Sequence, residues 1–205
     1  APRISKFRKI LYTICFFIFP RQEIMNFLAP RTHRNVFGTA VLLFSSGSSG
    51  TPKGVMLSHH NINSDVYSCI RIMGWTSRDR IVGNLPLFHS FGITTCFWIP
   101  LMIKAKTVYI PNPLDGETIG RVISENNLTV LLATPTFLQS YMRKCKPEQF
   151  KSLRLVVTGA EKLRRDIADK FKEMTGLEVI EGYGTTELSP IVSINVASTI
   201  LDLGR

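Results

Sequence analysis

Ser45-Ser46-Gly47-Ser48-Ser49-Gly50-Thr51-Pro52-Lys53-Gly54 stands between two short apolar runs, Ala40 to Phe44 and Val55-Met56-Leu57. Hydroxyls and glycines alternate along it, so backbone N–H and side-chain O–H donors are dense. Glycine lets the backbone approach an anion closely, and Lys53 adds a positive charge. A polyphosphate is the ligand such a loop suits. A solvated Ser/Gly linker is the plainer alternative. It does not account for the apolar runs on either side or for the Thr-Pro-Lys-Gly ending. A phosphate loop of the G-x-x-x-x-G-K-[ST] type is excluded. Pro52 precedes Lys53, Gly54 stands where Ser or Thr should bind magnesium, and the residues that follow read as strand.

Outward from this loop, short apolar runs alternate with helical patterns. Ser58 can cap a helix from about His60 to Met73 that Gly74 ends. Arg80 to Asn84 reads as a strand, Gly92 to Ile103 as an apolar helix and Lys106 to Ile110 as a strand. Asp115 to Asn126 reads as a helix, Leu128 to Leu132 as a strand, and Pro135 to Lys144 as a helix with proline in its first turn. Leu153 to Val157 is a strand. Leu163, Ile167, Phe171 and Met174 recur at helical spacing until Gly176. Glu178 to Ile180 and Ile191 to Val196 close the series, with a loop from Glu181 to Glu187 between them. Unbroken apolar strands alternating with helices predict an α/β fold, a layered and largely parallel sheet with flanking helices. Ligands in such sheets sit at the carboxyl ends of strands, where both glycine-rich loops are expected.

The chain has 205 residues, 44% hydrophobic and 20% charged, enough for a core. Its net charge of +10 favours anionic partners: nucleotides, acidic carrier proteins, anionic lipid or nucleic acid. Basic residues gather at Arg3, Lys6, Arg8 and Lys9 and between Arg143 and Arg165. They show no interleaving with aromatics of the kind that marks a single-strand binding platform, which argues against nucleic acid. The four cysteines, Cys15, Cys69, Cys96 and Cys145, form no C-x-x-C pair and read as buried thiols of a cytoplasmic protein. Ile10 to Phe19 is an apolar run behind basic residues. It is short of the about 20 residues a spanning helix needs. It reads as a buried packing helix or as a surface-seeking element with peripheral membrane contact. Residues 1–35 are therefore expected to be a lead-in, and 36–205 a domain.

Two further segments carry chemistry. Glu181-Gly182-Tyr183-Gly184-Thr185-Thr186-Glu187 offers a ring that could stack on a purine, hydroxyl donors and a carboxylate suited to Mg2+. A surface turn is an equal reading of these residues alone. Leu85-Pro86-Leu87-Phe88-His89-Ser90-Phe91-Gly92 holds a histidine among apolar residues, more often a satisfied core residue than a functional one.

Leu42-x-x-Ser45-Ser46-Gly47-Ser48-Ser49-Gly50-x-Pro52-Lys53 resembles the signature of the acyl-adenylate-forming, or AMP-binding, superfamily. Gly182 to Glu187 resembles its Y-G-x-T-E motif, and Pro86 to Gly92 its P-x-x-H-x-x-G segment. Thr158-Gly159-Ala160-Glu161-Lys162 resembles the family's Gly-Ala segment, with Glu161 departing from the proline many members carry nearby. The resemblance implies the large N-terminal domain of such enzymes, truncated. It implies ATP, phosphates held by Ser45 to Thr51 and Lys53, and adenine held by Gly159, Ala160, Glu161 and Tyr183. Thr185 and Thr186 would lie near the α-phosphate, Mg2+ on Glu187, and the acid's carboxylate near His89. Leu203-Gly204-Arg205 looks like the segment before the family's ribose-binding Asp. The hinge and the C-terminal domain with its catalytic Lys would follow, so this stretch alone is expected to bind ATP weakly and adenylate poorly.

The context of Leu28-Ala29-Pro30-Arg31 and the apolar Phe91 to Ile103 is most similar to bacterial long-chain acyl–acyl-carrier-protein synthetases. In these an acylglycerophosphoethanolamine acyltransferase can be fused upstream. That similarity implies a fatty acid substrate, an acyl acceptor that is coenzyme A or the phosphopantetheine of an acidic acyl-carrier protein, and a location at the inner membrane face. A non-catalytic nucleotide-binding module, a ligase for another carboxylic acid and a basic scaffold are the alternatives.

Overall fold

The computed structural model describes residues 35–45 and 51–195. The expectations for the apolar run Ile10 to Phe19, for Cys15, for Ser46 to Gly50 and for Leu203-Gly204-Arg205 fall outside the described residues.

β1 (Thr39–Ser45) and β2 (Lys53–Ser58) pair antiparallel in a two-stranded sheet of their own. Helix α1 (His59–Met73) follows directly. Its N-terminus is closed reciprocally: Ser58 Oγ accepts from the Asn61 N–H, and Asn61 Oδ1 accepts from the Ser58 N–H. Gly74, at φ 59°, ends it in the left-handed conformation expected of glycine.

The main sheet has six strands in the order β4-β3-β5-β6-β7-β8. These are β3 (Arg80–Gly83), β4 (Lys106–Tyr109), β5 (Val130–Ala133), β6 (Leu155–Thr158), β7 (Val179–Gly184) and β8 (Ile191–Ile194). All neighbours are parallel except β7 and β8. Alternate side chains point to opposite faces, and the two cores follow that alternation. Ile81, Val130, Leu132, Leu155 and Val157 join the core that also holds Leu43, Leu57 and the buried face of α1. Val82, Leu131 and Val156 join the core beneath α4 (Gly116–Asn126), α5 (Pro135–Lys144) and α6 (Arg165–Thr175). The layered α/β architecture expected from the sequence is therefore what forms.

Three local differences have physical causes. Gly92 to Ile103 is not one helix. It divides into α2 (Ser90–Ile93), a wider π turn over Thr94–Trp98 and α3 (Ile99–Ile103). Pro100 has no N–H to give the Cys96 carbonyl, and the Tyr109 hydroxyl donates to that carbonyl instead, at 2.9 Å. The turn widens there, with the Ile99 N–H reaching back to the Thr94 carbonyl. Second, β7 runs on through Gly184, where a loop from Glu181 was expected, because β8 turns back and pairs Gly182 with Ile194 and Tyr183 with Ser193. Third, the loop after β1 is the connection of a separate hairpin and not a strand end of the main sheet.

The amino ends of β3, β5 and β6 are tied by one carboxylate. Asp79 is 3% exposed and meets Arg154 through Nε at 2.7 Å and Nη2 at 2.6 Å. It also accepts from the Thr76 N–H and the Thr129 hydroxyl. Burial alone would raise its pKa. The Arg154 guanidinium and the other donors outweigh burial and hold it below the usual carboxylate range. Stability from this group is present above the ordinary carboxylate pKa of about 4 and is lost as pH falls through the lowered folded value. Asp79→Ala is expected to cost roughly 3 kcal/mol in urea unfolding at neutral pH. The deficit relative to the parent should shrink in acid.

Candidate functional site

Three of the expected segments meet at the carboxyl edge of the main sheet, around a cavity of about 190 Å3. β6 delivers Thr158, Gly159 and Ala160. β7 delivers Gly182, Tyr183 and Gly184 and then Thr185 and Thr186. The segment after β3 delivers His89, Ser90 and Phe91. The inner wall is apolar, with Met73 and Trp75 from α1 and its end, and Leu132 and Val157 from the sheet.

Two of the motif glycines, Gly92 and Gly184, are required by contact. A Cβ on Gly92 would lie 2.1 Å from the Pro86 carbonyl oxygen, and one on Gly184 would lie 2.1 Å from that of Pro190. Gly92 thus lets the Pro86 to Gly92 segment fold back on itself. His89 caps α2, its Nδ1 accepting the Phe91 N–H at 3.1 Å. In the neutral ring that bond leaves the proton on Nε2. Ser90 Oγ lies 3.3 Å from Thr186 Oγ1, which joins the histidine segment to the turn after β7. Tyr183 is 62% exposed.

Lys53 and Glu187 are exposed and stand outside the cavity wall. β2, which begins at Lys53, packs beside the turn Thr186–Leu188 that holds Glu187. Ser45 closes β1 with its hydroxyl buried and without a partner among the described residues. Thr51 is exposed. The Glu161 carboxylate is directed away from the cavity, onto Thr136. Among the described residues no group of three or more His, Cys, Asp or Glu could cage a metal. A Mg2+ ion keeps water and binds through one or two carboxylates plus substrate phosphates, so a single exposed Glu187 fits that mode.

The cysteines of the described chain are buried and free. Burial pushes the thiol of Cys69 up to about 12 and those of Cys96 and Cys145 up to about 11, so they are inert. No helix among the described residues is long and apolar enough to cross a membrane.

A model of the AMP-binding enzyme family matches residues 28–203. The chain belongs to that family. Among AMP-binding relatives, a long-chain-fatty-acid–CoA ligase of Yersinia pestis is 30% identical over 165 residues, covering 77% of this chain and 29% of that protein. ATP-bound MatB from Rhodopseudomonas palustris superposes with a TM-score of 0.73 at 27% identity, over 80% of this chain and 32% of that one. A malonyl-CoA ligase in a ternary product complex with methylmalonyl-CoA and AMP superposes at 0.74 and 25% identity, over 80% and 36%. The chain thus spans about a third or less of the relatives' length.

Sequence reasoning passed over Asp65. It lies on the face of α1 that carries the buried Ile62, Val66 and Cys69, and its Oδ2 accepts the Ile191 N–H at 3.4 Å. A carboxylate at helical spacing within an apolar face was the available signal. Burial raises its pKa to about 7 against the lowering effect of the Ile191 N–H. An acid raised in this way favours folding most below its unfolded pKa of about 4, and that contribution is lost as pH rises through about 7. Asp65→Asn should flatten this part of the melting-temperature profile between acid and neutral pH. An unchanged slope would show that Asp65 titrates normally.

Proposed function

We propose that this chain supplies the nucleotide-binding and acid-binding part of an acid–thiol ligase that activates a carboxylic acid with ATP. The observation that carries this reading is the meeting of the His89, Gly159-Ala160 and Tyr183 to Thr186 segments around one cavity. The matched family and the ATP, AMP and acyl-CoA named for its solved relatives support it.

In this reading the adenine lies between the Tyr183 ring and the backbone of Gly159 and Ala160. Thr186 donates a hydrogen bond to an α-phosphate oxygen, with Thr185 beside it. Lys53 and the donors of Ser45 to Thr51 take the β- and γ-phosphates. Glu187 would hold Mg2+, which supplies charge neutralisation on the phosphates. The His89 Nε2–H orients the acid's carboxylate. A carboxylate oxygen then bonds to the α-phosphorus as the bond to the bridging oxygen breaks, and pyrophosphate leaves with that electron pair. Repulsion between two anions is the main barrier, and fixed donors that need no reorganisation offset it. A thiolate next attacks the acyl carbonyl and AMP departs.

The apolar wall of Met73, Trp75, Leu132 and Val157 suits a hydrocarbon tail, in keeping with a long-chain fatty acid. The acceptor is coenzyme A or the phosphopantetheine of an acyl-carrier protein. The excess of basic residues would attract an acidic carrier. A second reading, a ligase for a smaller acid, is favoured by the malonyl-CoA ligase among the structural relatives.

Calorimetric titration with a hydrolysis-resistant fatty acyl-adenylate analogue tests the reading. Saturable one-to-one binding is expected. Thr186→Val should weaken it about tenfold, the loss of one hydrogen bond to a charged oxygen. Glu187→Gln should leave it unchanged, because the analogue carries no metal-bound polyphosphate. No binding by the parent chain would overturn the ligase reading. A short-chain analogue bound more tightly would favour the second reading.

A further inference from the structure

Ala160 lines the nucleotide cavity at φ 67°, a left-handed conformation that its Cβ disfavours. Something must hold it there, and the structure supplies three ties on the surrounding loop. The Gly159 N–H donates to the Ala133 carbonyl at 3.3 Å, at the carboxyl end of β5. The Leu163 N–H donates to Glu181 Oε1 on β7 at 2.8 Å. Between them, Glu161 Oε2 accepts from the Thr136 hydroxyl at 2.6 Å and from the Thr136 N–H at 3.3 Å.

Thr136 is the second residue of α5, so its N–H has no acceptor within the helix. Thr134 caps the Phe137 N–H, and Pro135 has no N–H to satisfy. Glu161 therefore completes the helix cap from another part of the chain. A carboxylate is also the group that a helix N-terminus attracts most strongly. The residue next to the strained Ala160 is thereby fixed to a helix buried against the main sheet, while its own charge points away from the cavity.

We infer that Glu161 is a positioning residue for the adenine: by capping α5 it holds Ala160 in the left-handed conformation that turns the backbone of Gly159 and Ala160 toward the nucleotide. The inference rests on the nucleotide reading given above. Glu161 touches no ligand in this account. It acts through the φ angle of its neighbour. Its amide counterpart should therefore serve nearly as well, since glutamine presents the same accepting oxygen to Thr136. A glycine at position 160 should remove the need for the tie, because glycine takes a positive φ without the Cβ clash.

The experiment titrates the chain and its variants with the same acyl-adenylate analogue. Glu161→Ala is expected to weaken binding about tenfold, the size of a lost helix cap. Glu161→Gln should stay within about twofold of the parent. Adding Ala160→Gly to Glu161→Ala should recover most of the loss. A helix cap with no bearing on the nucleotide would not respond to a glycine at position 160, so failure of that rescue overturns the inference. So does parent-like binding by Glu161→Ala, and so does a loss in Glu161→Gln as large as in Glu161→Ala, which would mean direct contact through the charge. If the parent itself does not bind, the ligase reading falls and the inference falls with it.

Discussion

A parallel sheet ends all its strands on the same side, and that constraint places the chemistry of this chain. β3, β5, β6 and β7 run in one direction, so the segments that leave them must start from one edge. His89, Gly159 and Thr186 are far apart in sequence and meet only because of it. The strands are held as a set at their other end, where Asp79 and Arg154 join the turn before β3, the start of β5 and the start of β6. Clamping the amino ends leaves the carboxyl ends free to carry irregular loops without loosening the sheet. β3, β5 and β6 are apolar on both faces, so neither core can form without the sheet, nor the sheet without both cores.

Antiparallel pairing adds what the parallel sheet cannot. β8 reverses along β7 and brings Pro190 so close to Gly184 that no side chain fits there. The turn between them, which contains Thr186 and Glu187, is therefore closed at its base. Asp65 from α1 reaches the same place through the Ile191 N–H, and Thr94 reaches it through the Ser189 carbonyl. The hairpin β1–β2 is a second antiparallel unit. Its inward residues Leu43 and Leu57 share a core with α1 and with one face of the sheet. That packing sets β2 beside the turn holding Glu187.

Most of the architecture was legible because local chemistry agrees with the global fold. Ser58, Gly74, Asp115, Pro135 and Gly176 mark helix ends by capping and by left-handed conformation, which depend on neighbours within a few residues. The extension of β7 to Gly184 was not legible, since it depends on a partner strand whose register no local pattern encodes. The π turn over Thr94–Trp98 was hidden for a similar reason. Pro100 announced a fault in the helix, but the hydroxyl that makes the fault tolerable comes from Tyr109, beyond the helix. Tyr183, Thr186 and His89, singled out by motif, line the cavity, while Asp65 was overlooked because its meaning lies in burial. Glu161 was expected at the nucleotide, and its carboxylate accepts from Thr136.

The placement of Glu161 shows why a motif residue and a contact residue need not coincide. Nucleotide loops at strand ends offer backbone groups, and backbone groups are aimed by φ and ψ, not by side-chain choice. The side chains of such a loop are then free to fasten it elsewhere. Glu161 fastens the loop to α5, and Glu181 on β7 fastens it from the neighbouring strand through the Leu163 N–H. Two carboxylates near a polyphosphate would oppose binding through charge repulsion if they faced the cavity. Spent on N–H and O–H donors, they hold the loop rigid while their charge is partly neutralised by the dipoles they accept from. In the ligase reading, the basic excess of the chain would then act on an anionic ligand with less opposition from its own acids.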